Sequence, residues 1–147
     1  MGGIIGYAPG TVISSNNINF GNVTATNADG SNSNAYAGGV VGVADLAAGE
    51  EITLTSDKSF GHISSSSARA GLIVGTSRWS GYGTITMTSC VVGGKLNDPL
   101  NGYVDMEITA ENFDDNKNML MSYWKTSNTT FNNSGTKFGV ASDYENQ

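Results

Sequence analysis

Residues Glu51 to Thr55 and Thr84 to Thr88 carry one pattern twice: Ile52, Leu54, Ile85 and Met87 alternate with Thr53, Thr55, Thr86 and Thr88. A period of two predicts strands with one buried face, and threonine suits the outer side of a pleated surface. The pattern extends into a block that aligns without gaps in three places, Thr11–Val23, Glu51–Ile63 and Thr84–Leu96. Val12, Ile52 and Ile85 share a column, as do Ser14, Leu54 and Met87, and Val23, Ile63 and Leu96; Gly21, Gly61 and Gly94 share another. Ser14 stands where the other copies are apolar, so the inner face of the first copy is expected to be less well filled.

A short phrase precedes each block. It reads Gly2-Gly3-Ile4-Ile5-Gly6, then Gly38-Gly39-Val40-Val41-Gly42, then Gly71-Leu72-Ile73-Val74-Gly75. Two aliphatics between glycines predict a short buried corner strand whose ends bend where no Cβ obstructs them. The phrase recurs after 36 and 33 residues, the block after 40 and 33. The variation falls in connections, which tolerate insertion, so Thr26–Asn34, Asp45–Gly49 and Ser77–Gly83 are expected to be surface loops.

Three short apolar runs per repeat, with turns between them, predict an all-β chain: a right-handed parallel β-helix, or β-solenoid, of about three to four coils. The expected organisation is a single domain, with coil 1 over 1–37, coil 2 over 38–70, coil 3 over 71–96, and a divergent last coil and cap over 97–147. No coil is expected to fold alone. Ordering its backbone costs about 1–2 kcal/mol per residue, while each inward aliphatic returns roughly 1.5–3 kcal/mol; stacking makes up the difference.

Beyond Leu96 the repeat fades. Residues Gly102–Thr109 alternate again, placing Val104, Met106 and Ile108 on one face and Asp105 and Glu107 on the other. Thr109–Phe113 fits one helical turn or a loop, Met119–Thr126 a strand, and Phe131 with Lys137–Val140 a hairpin about the Asn132–Gly135 turn.

Composition narrows the function classes. Gly numbers 20 and Pro 2, while charged residues are only 14%, which disfavours long helices. A net charge of -6 repels phosphate backbones and anionic headgroups, so nucleic acid is not an expected partner. No apolar run approaches a membrane span, so no insertion by this segment is expected. Met1 to Gly6 lack the features of a signal peptide, and the repeat begins at once, which suggests a segment of a longer or processed protein. The single Cys90 forms no internal disulfide, and no Cys/His cluster has metal-ligand spacing; no cofactor and no metal are expected.

With the glycine phrases and the aligned block in hand, the sequence resembles the GLUG-type glycine-rich repeats of secreted and surface-exposed bacterial proteins, especially those of gut Bacteroidetes. Gly71-Leu72-Ile73-Val74-Gly75 is the copy most like that repeat. The likeness covers about residues 2–96, and Tyr123-Trp124 looks like the aromatic pair that often follows the last such repeat. The resemblance implies an extracellular or cell-surface, adhesin-like solenoid, in which Gly2, Gly3, Gly6, Gly38, Gly39, Gly42, Gly71 and Gly75 are structural repeat positions. It implies no catalytic residues.

Candidate chemistry is sparse. Arg78, Trp79 and Tyr82 fall in an expected loop, where amphipathic aromatics beside Arg suit protein recognition or stacking on sugar rings; Trp79 packed against its own coil is the other reading. His62, the lone histidine, shares a column with Asn22 and Lys95 and is expected to face outward. Glu50-Glu51 and Asp114-Asp115 are adjacent carboxylates that fit turns better than a glycosidase pair. Asn27-Ala28-Asp29-Gly30 begins like a calcium loop but lacks the closing Glu, leaving cation binding by the Thr26–Asn34 loop open. Cys90, aligned with Asn17 and Asp57, is expected to be a turn or buried thiol. These features describe a non-catalytic surface module that displays loops to a protein or glycan; a carbohydrate-binding or carbohydrate-processing β-helix is the alternative. Strand edges exposed by the first coil make end-to-end self-association a further expectation.

Overall fold

The computed structural model describes residues 1–26, 35–66, 69–77, 82–114, 119–122 and 128–146. Among the described residues the chain is all-β with one short α-helix, and its strands run parallel between successive units. The first unit holds β1 (Ile5–Ala8), β2 (Val12–Ser15), β3 (Ile18–Asn19) and β4 (Val23–Ala25). The second holds β5 (Tyr36–Gly38), β6 (Val41–Ala44), β7 (Glu51–Thr55), β8 (Lys58–Ser59) and β9 (His62–Ser65). The third repeats these five as β10 (Arg69–Gly71), β11 (Val74–Ser77), β12 (Thr84–Thr88), β13 (Val91–Val92) and β14 (Lys95–Asp98).

Strand pairing follows the sequence columns. Val12 pairs with Ile52 and Ile52 with Ile85; Ser14 pairs with Leu54 and Leu54 with Met87; Val23 pairs with Ile63 and Ile63 with Leu96. Gapless alignment therefore read the register directly, because a one-residue slip would turn each apolar set outward. Ile52, Leu54, Ile63, Ile85, Met87 and Leu96 are fully buried. Ser14 is buried too, and its Oγ accepts a 2.9 Å hydrogen bond from Asn17 Nδ2, so the thin inner face of the first unit is closed by a polar contact.

The glycine phrase differs from the expected corner strand. Strands β5 and β10 end on its first glycine, and β6 and β11 start on its last aliphatic, Val41 or Val74, so the phrase is the bend between two strands. A Cβ on Gly38 or Gly71 would lie 1.9 Å from the carbonyl oxygen of Val41 or Val74; the bend closes only around a missing side chain. The next corner is also repeated. Asn16, Ser56 and Ser89 all adopt left-handed φ angles of 54–59°, each between a threonine-type strand and the two-residue strand after it.

The C-terminal third departs most from expectation. Strand β15 (Tyr103–Glu107) runs antiparallel to β14. Met106 and Ile108 lie on the inner side and Asp105 and Glu107 outside, as alternation suggests, but the pattern fails at the strand's start, where Tyr103 is buried and Val104 is 71% exposed. The register shifts between Leu96 and Asp98, and Asp105 takes a positive φ of 45°. Such a bulge inserts a residue and turns the alternation over. Helix α1 (Ala110–Phe113) realises the helical-turn option, closed by reciprocal bonds between Thr109 and Asn112.

The expected C-terminal hairpin is replaced by a fourth copy of the block. Strand β16 (Thr130–Ser134) pairs parallel with β12, and β17 (Lys137–Phe138) with β13. Phe131 thus enters the Ile52–Ile85 column, and Gly135 takes the left-handed corner of Ser89, with φ 72°. The turn was legible, but its two arms extend neighbouring ladders and do not pair with each other. Leu72 and Val74 N–H groups donate to Met119 and Leu120 carbonyls, and Val74 bridges Met121, so Met119–Met121 is the fourth, glycine-free version of the phrase. Of the expected 119–126 strand, residues 123–126 lie outside the described residues.

Candidate functional site

The connection after each glycine-phrase strand leaves the same corner of the unit. In the second unit it is a turn in which Ala47 N–H donates to Glu50 Oε1 and Glu50 N–H to Ala47 O, with Gly49 at φ 87°. Leu46 anchors this turn by burying its side chain. In the third unit the connection reaches Tyr82, whose N–H donates to Leu46 O at 2.7 Å and whose carbonyl accepts Thr129 Oγ1 at 3.1 Å. Tyr82 is thus fixed by its backbone to the connections on either side while its side chain is 54% exposed. Arg78 and Trp79 lie outside the described residues, as do Tyr123, Trp124, Asp115 and the 27–34 segment with its Asn27–Gly30 motif.

Tyr7 hydroxyl donates to Asp45 Oδ2, and Asp45 N–H donates to Ala8 O, tying the first connection to the second. Glu51 Oε1 accepts from Thr86 Oγ1 at 3.2 Å. Glu50 and Glu51 therefore serve a turn and a cross-strand contact and do not converge. Among the described residues, no group of three or more His, Cys, Asp or Glu side chains comes together.

His62 faces outward, as its column suggests. Its Nε2 lies 3.3 Å from Asp105 Oδ1, at an angle outside hydrogen-bond geometry, and its backbone N–H donates to Asn22 Oδ1. Cys90 is a buried thiol, with Sγ 3.5 Å from Leu54 O, and burial pushes its pKa up, away from a nucleophilic thiolate. Asp57, in the same column, is buried and accepts Asn17 N–H at 2.9 Å.

Sequence reasoning missed one buried polar cluster. Asp98 accepts from Ala70 N–H at 3.1 Å, Asn101 Nδ2 at 2.6 Å and Ser122 Oγ at 3.2 Å. Burial raises its pKa from 3.8, against the lowering effect of these donors and of Arg69. Asp98 and Ser122 are almost wholly shielded from solvent, so the cluster fastens the third unit to the fourth and offers no opening to a substrate. Asp98 ends an apparently ordinary strand, and Ser122 is 24 residues away; no local signal joins them.

Comparison with known proteins adds no relative. No family model matches the chain, and no curated protein or solved structure matches it. The surface chemistry that remains is an exposed aromatic on a corner, beside outward threonine columns on β7 and β12.

Proposed function

We propose that this chain is a right-handed parallel β-solenoid of about four coils, counting Met119–Met121, β16 and β17 as the last, that acts as a non-catalytic, adhesin-like display module. The reading rests above all on register: three copies of one block stack column on column, with aliphatics inside and threonines outside in the second and third. Each coil is stiffened by its neighbours, so connections can change without disturbing the rod.

The resemblance to GLUG-type repeats supports placement outside the cell or at its surface, where a protein or a glycan would be the partner. The binding position is the third connection, with Arg78, Trp79 and Tyr82. The anchored backbone and free ring of Tyr82 suit a contact that gains little by reordering. The same exposed ring favours, as the second reading, a carbohydrate-binding or carbohydrate-processing β-helix.

A glycan array followed by Trp79→Ala and Tyr82→Ala tests the site. Binding lost in both variants, with no release of reducing sugar, is the expected outcome. Binding that survives both changes removes this position, and sugar release replaces display with catalysis.

A further inference from the structure

We infer that the segment after β17 is a releasable strap, held by a slot for one phenol ring that the chain fills with its own Tyr144. The inference is independent of what the third connection binds.

The slot is set by the columns of the repeated block. Its tenth position is Phe20 in the first copy and Phe60 in the second, but Gly93 in the third and Gly139 in the fourth. Backbone pairing keeps the four in one column: Phe60 N–H donates to Asn19 O, Gly93 N–H to Ser59 O and Gly139 N–H to Val92 O. Two aromatic side chains are thus followed by two positions that have none. Phe20 and Phe60 stack at 5.7 Å, and the next ring comes from outside the column. Tyr144 stacks on Phe60 with centroids 5.3 Å apart and planes inclined by 23°.

Both glycines keep that space clear. A Cβ on Gly93 would fall 2.4 Å from Gly139 O and 3.2 Å from Phe60 Cδ1, and one on Gly139 would fall 2.4 Å from Val91 Cγ1 and 3.2 Å from Tyr144 Cε2. These separations are inside the roughly 3.5–4.0 Å of favourable non-bonded contact. Lys58 completes the slot: its Nζ donates to Ser56 O at 2.8 Å and stands 5.7 Å from the centroid of the Tyr144 ring, within the range of cation–π attraction.

Val91 shows what the strap covers. Its ladder column also holds Lys58, half-buried, and Lys137, exposed, yet Val91 is only 3% exposed. The strap itself is the reverse. From Gly139 to Asn146 no residue is buried, and the single 3-10 turn, Ala141–Asp143, has no side-chain cap. Among the described residues, the backbone bonds beyond Gly139 stay within the strap, from Asp143 N–H to Val140 O and from Tyr144 N–H to Ala141 O. Tyr144 is therefore the point of attachment. A half-exposed stacking contact is modest, so the strap can leave without unfolding the ladders beneath it, and its departure opens a ring-sized slot lined by Phe60, Val91 and Lys58.

Residue-resolved amide exchange, with a titration of p-cresol, the tyrosine side chain without its backbone, tests this on the full chain. Tyr144→Ala should speed exchange at Asp143 about 10-fold, equivalent to 1.4 kcal/mol, leave the β12 amides unchanged, and acquire saturable p-cresol-dependent NMR shifts at Lys58, Phe60 and Val91. Tyr144→Phe should keep Asp143 protected, because the ring fills the slot without needing its hydroxyl, and the unaltered chain should show no p-cresol shifts there. Unchanged exchange in Tyr144→Ala, loss of protection throughout β12 in that variant, a Tyr144→Phe strap as open as that of Tyr144→Ala, or p-cresol shifts that are absent from Tyr144→Ala or equal in the unaltered chain would each overturn the inference.

Discussion

The two ends of the strand stack solve the same problem in opposite ways. At the C-terminal end, β15 turns antiparallel against β14, α1 follows with a capped first turn, and a degenerate fourth copy lies over the third. At the N-terminal end, the first copy keeps the glycines of the repeat, including Gly6, and among the described residues nothing pairs with the outer edge of its ladders. Sequence divergence thus accompanies closure, and fidelity to the repeat accompanies an exposed edge. A repeat position is constrained by the unit stacked on it, so the same residue type carries different weight at the two ends.

The largest expected contrast lies in the core columns. Leu54→Ala, between Ser14 and Met87, should cost about 2–5 kcal/mol in chemical unfolding. Val12→Ala, half-buried in the end unit, should cost less than about 2 kcal/mol. Equal losses would mean that the first unit is as tightly packed as the second.

Glycine gives the next contrast. Gly75→Ala forces a Cβ to within 2.4 Å of Gly42 O and 2.8 Å of Ala37 backbone, and is expected to destabilise by about 3 kcal/mol. Gly6→Ala should stay within about 0.5 kcal/mol. Thermal melts of the pair measure the difference, and a similar loss for both would erase the distinction between interior and edge.

At the closed end, Thr109→Ala removes the Oγ1 that accepts Asn112 N–H and is expected to cost about 1 kcal/mol, read from urea midpoints. Asp98 supplies the smallest effect. Its folded pKa lies above 3.8, so the folded chain binds this proton more tightly than the unfolded one. The associated stability is fully present below pH 3.8 and falls as pH rises through the folded pKa. Asp98→Asn should flatten that part of the stability–pH curve; an unchanged slope would assign it to other carboxylates.

The interior was the legible part of the fold. Ile52, Leu54, Ile85 and Met87 declare both face and register, since period two and a fixed repeat leave one alignment that keeps them all inside. The ends were harder to read. Thr130–Gly135 carries the block with Phe131 alone among its strong apolar positions, so its turn residues suggested a hairpin. The Tyr103–Val104 reversal depends on a bulge opposite Asn97, whose Oδ1 accepts Asp105 N–H, a tertiary contact that no local pattern announces. Of the candidate site, Tyr82 was visible as an exposed aromatic, whereas its anchoring to Leu46 and Thr129 depends on neighbouring units.

Residue-resolved amide hydrogen exchange in β2 and β12, at low protein concentration, tests the open-edge account most directly. Ser14 and Asn16 amides, which face β7, should be protected, while those of Ile13 and Ser15 exchange freely; in β12, Thr86 and Met87 should both be protected, because ladders flank that strand on either side. Equal protection of the Ile13, Ser14, Ser15 and Asn16 amides under conditions where the chain is monomeric would contradict the account.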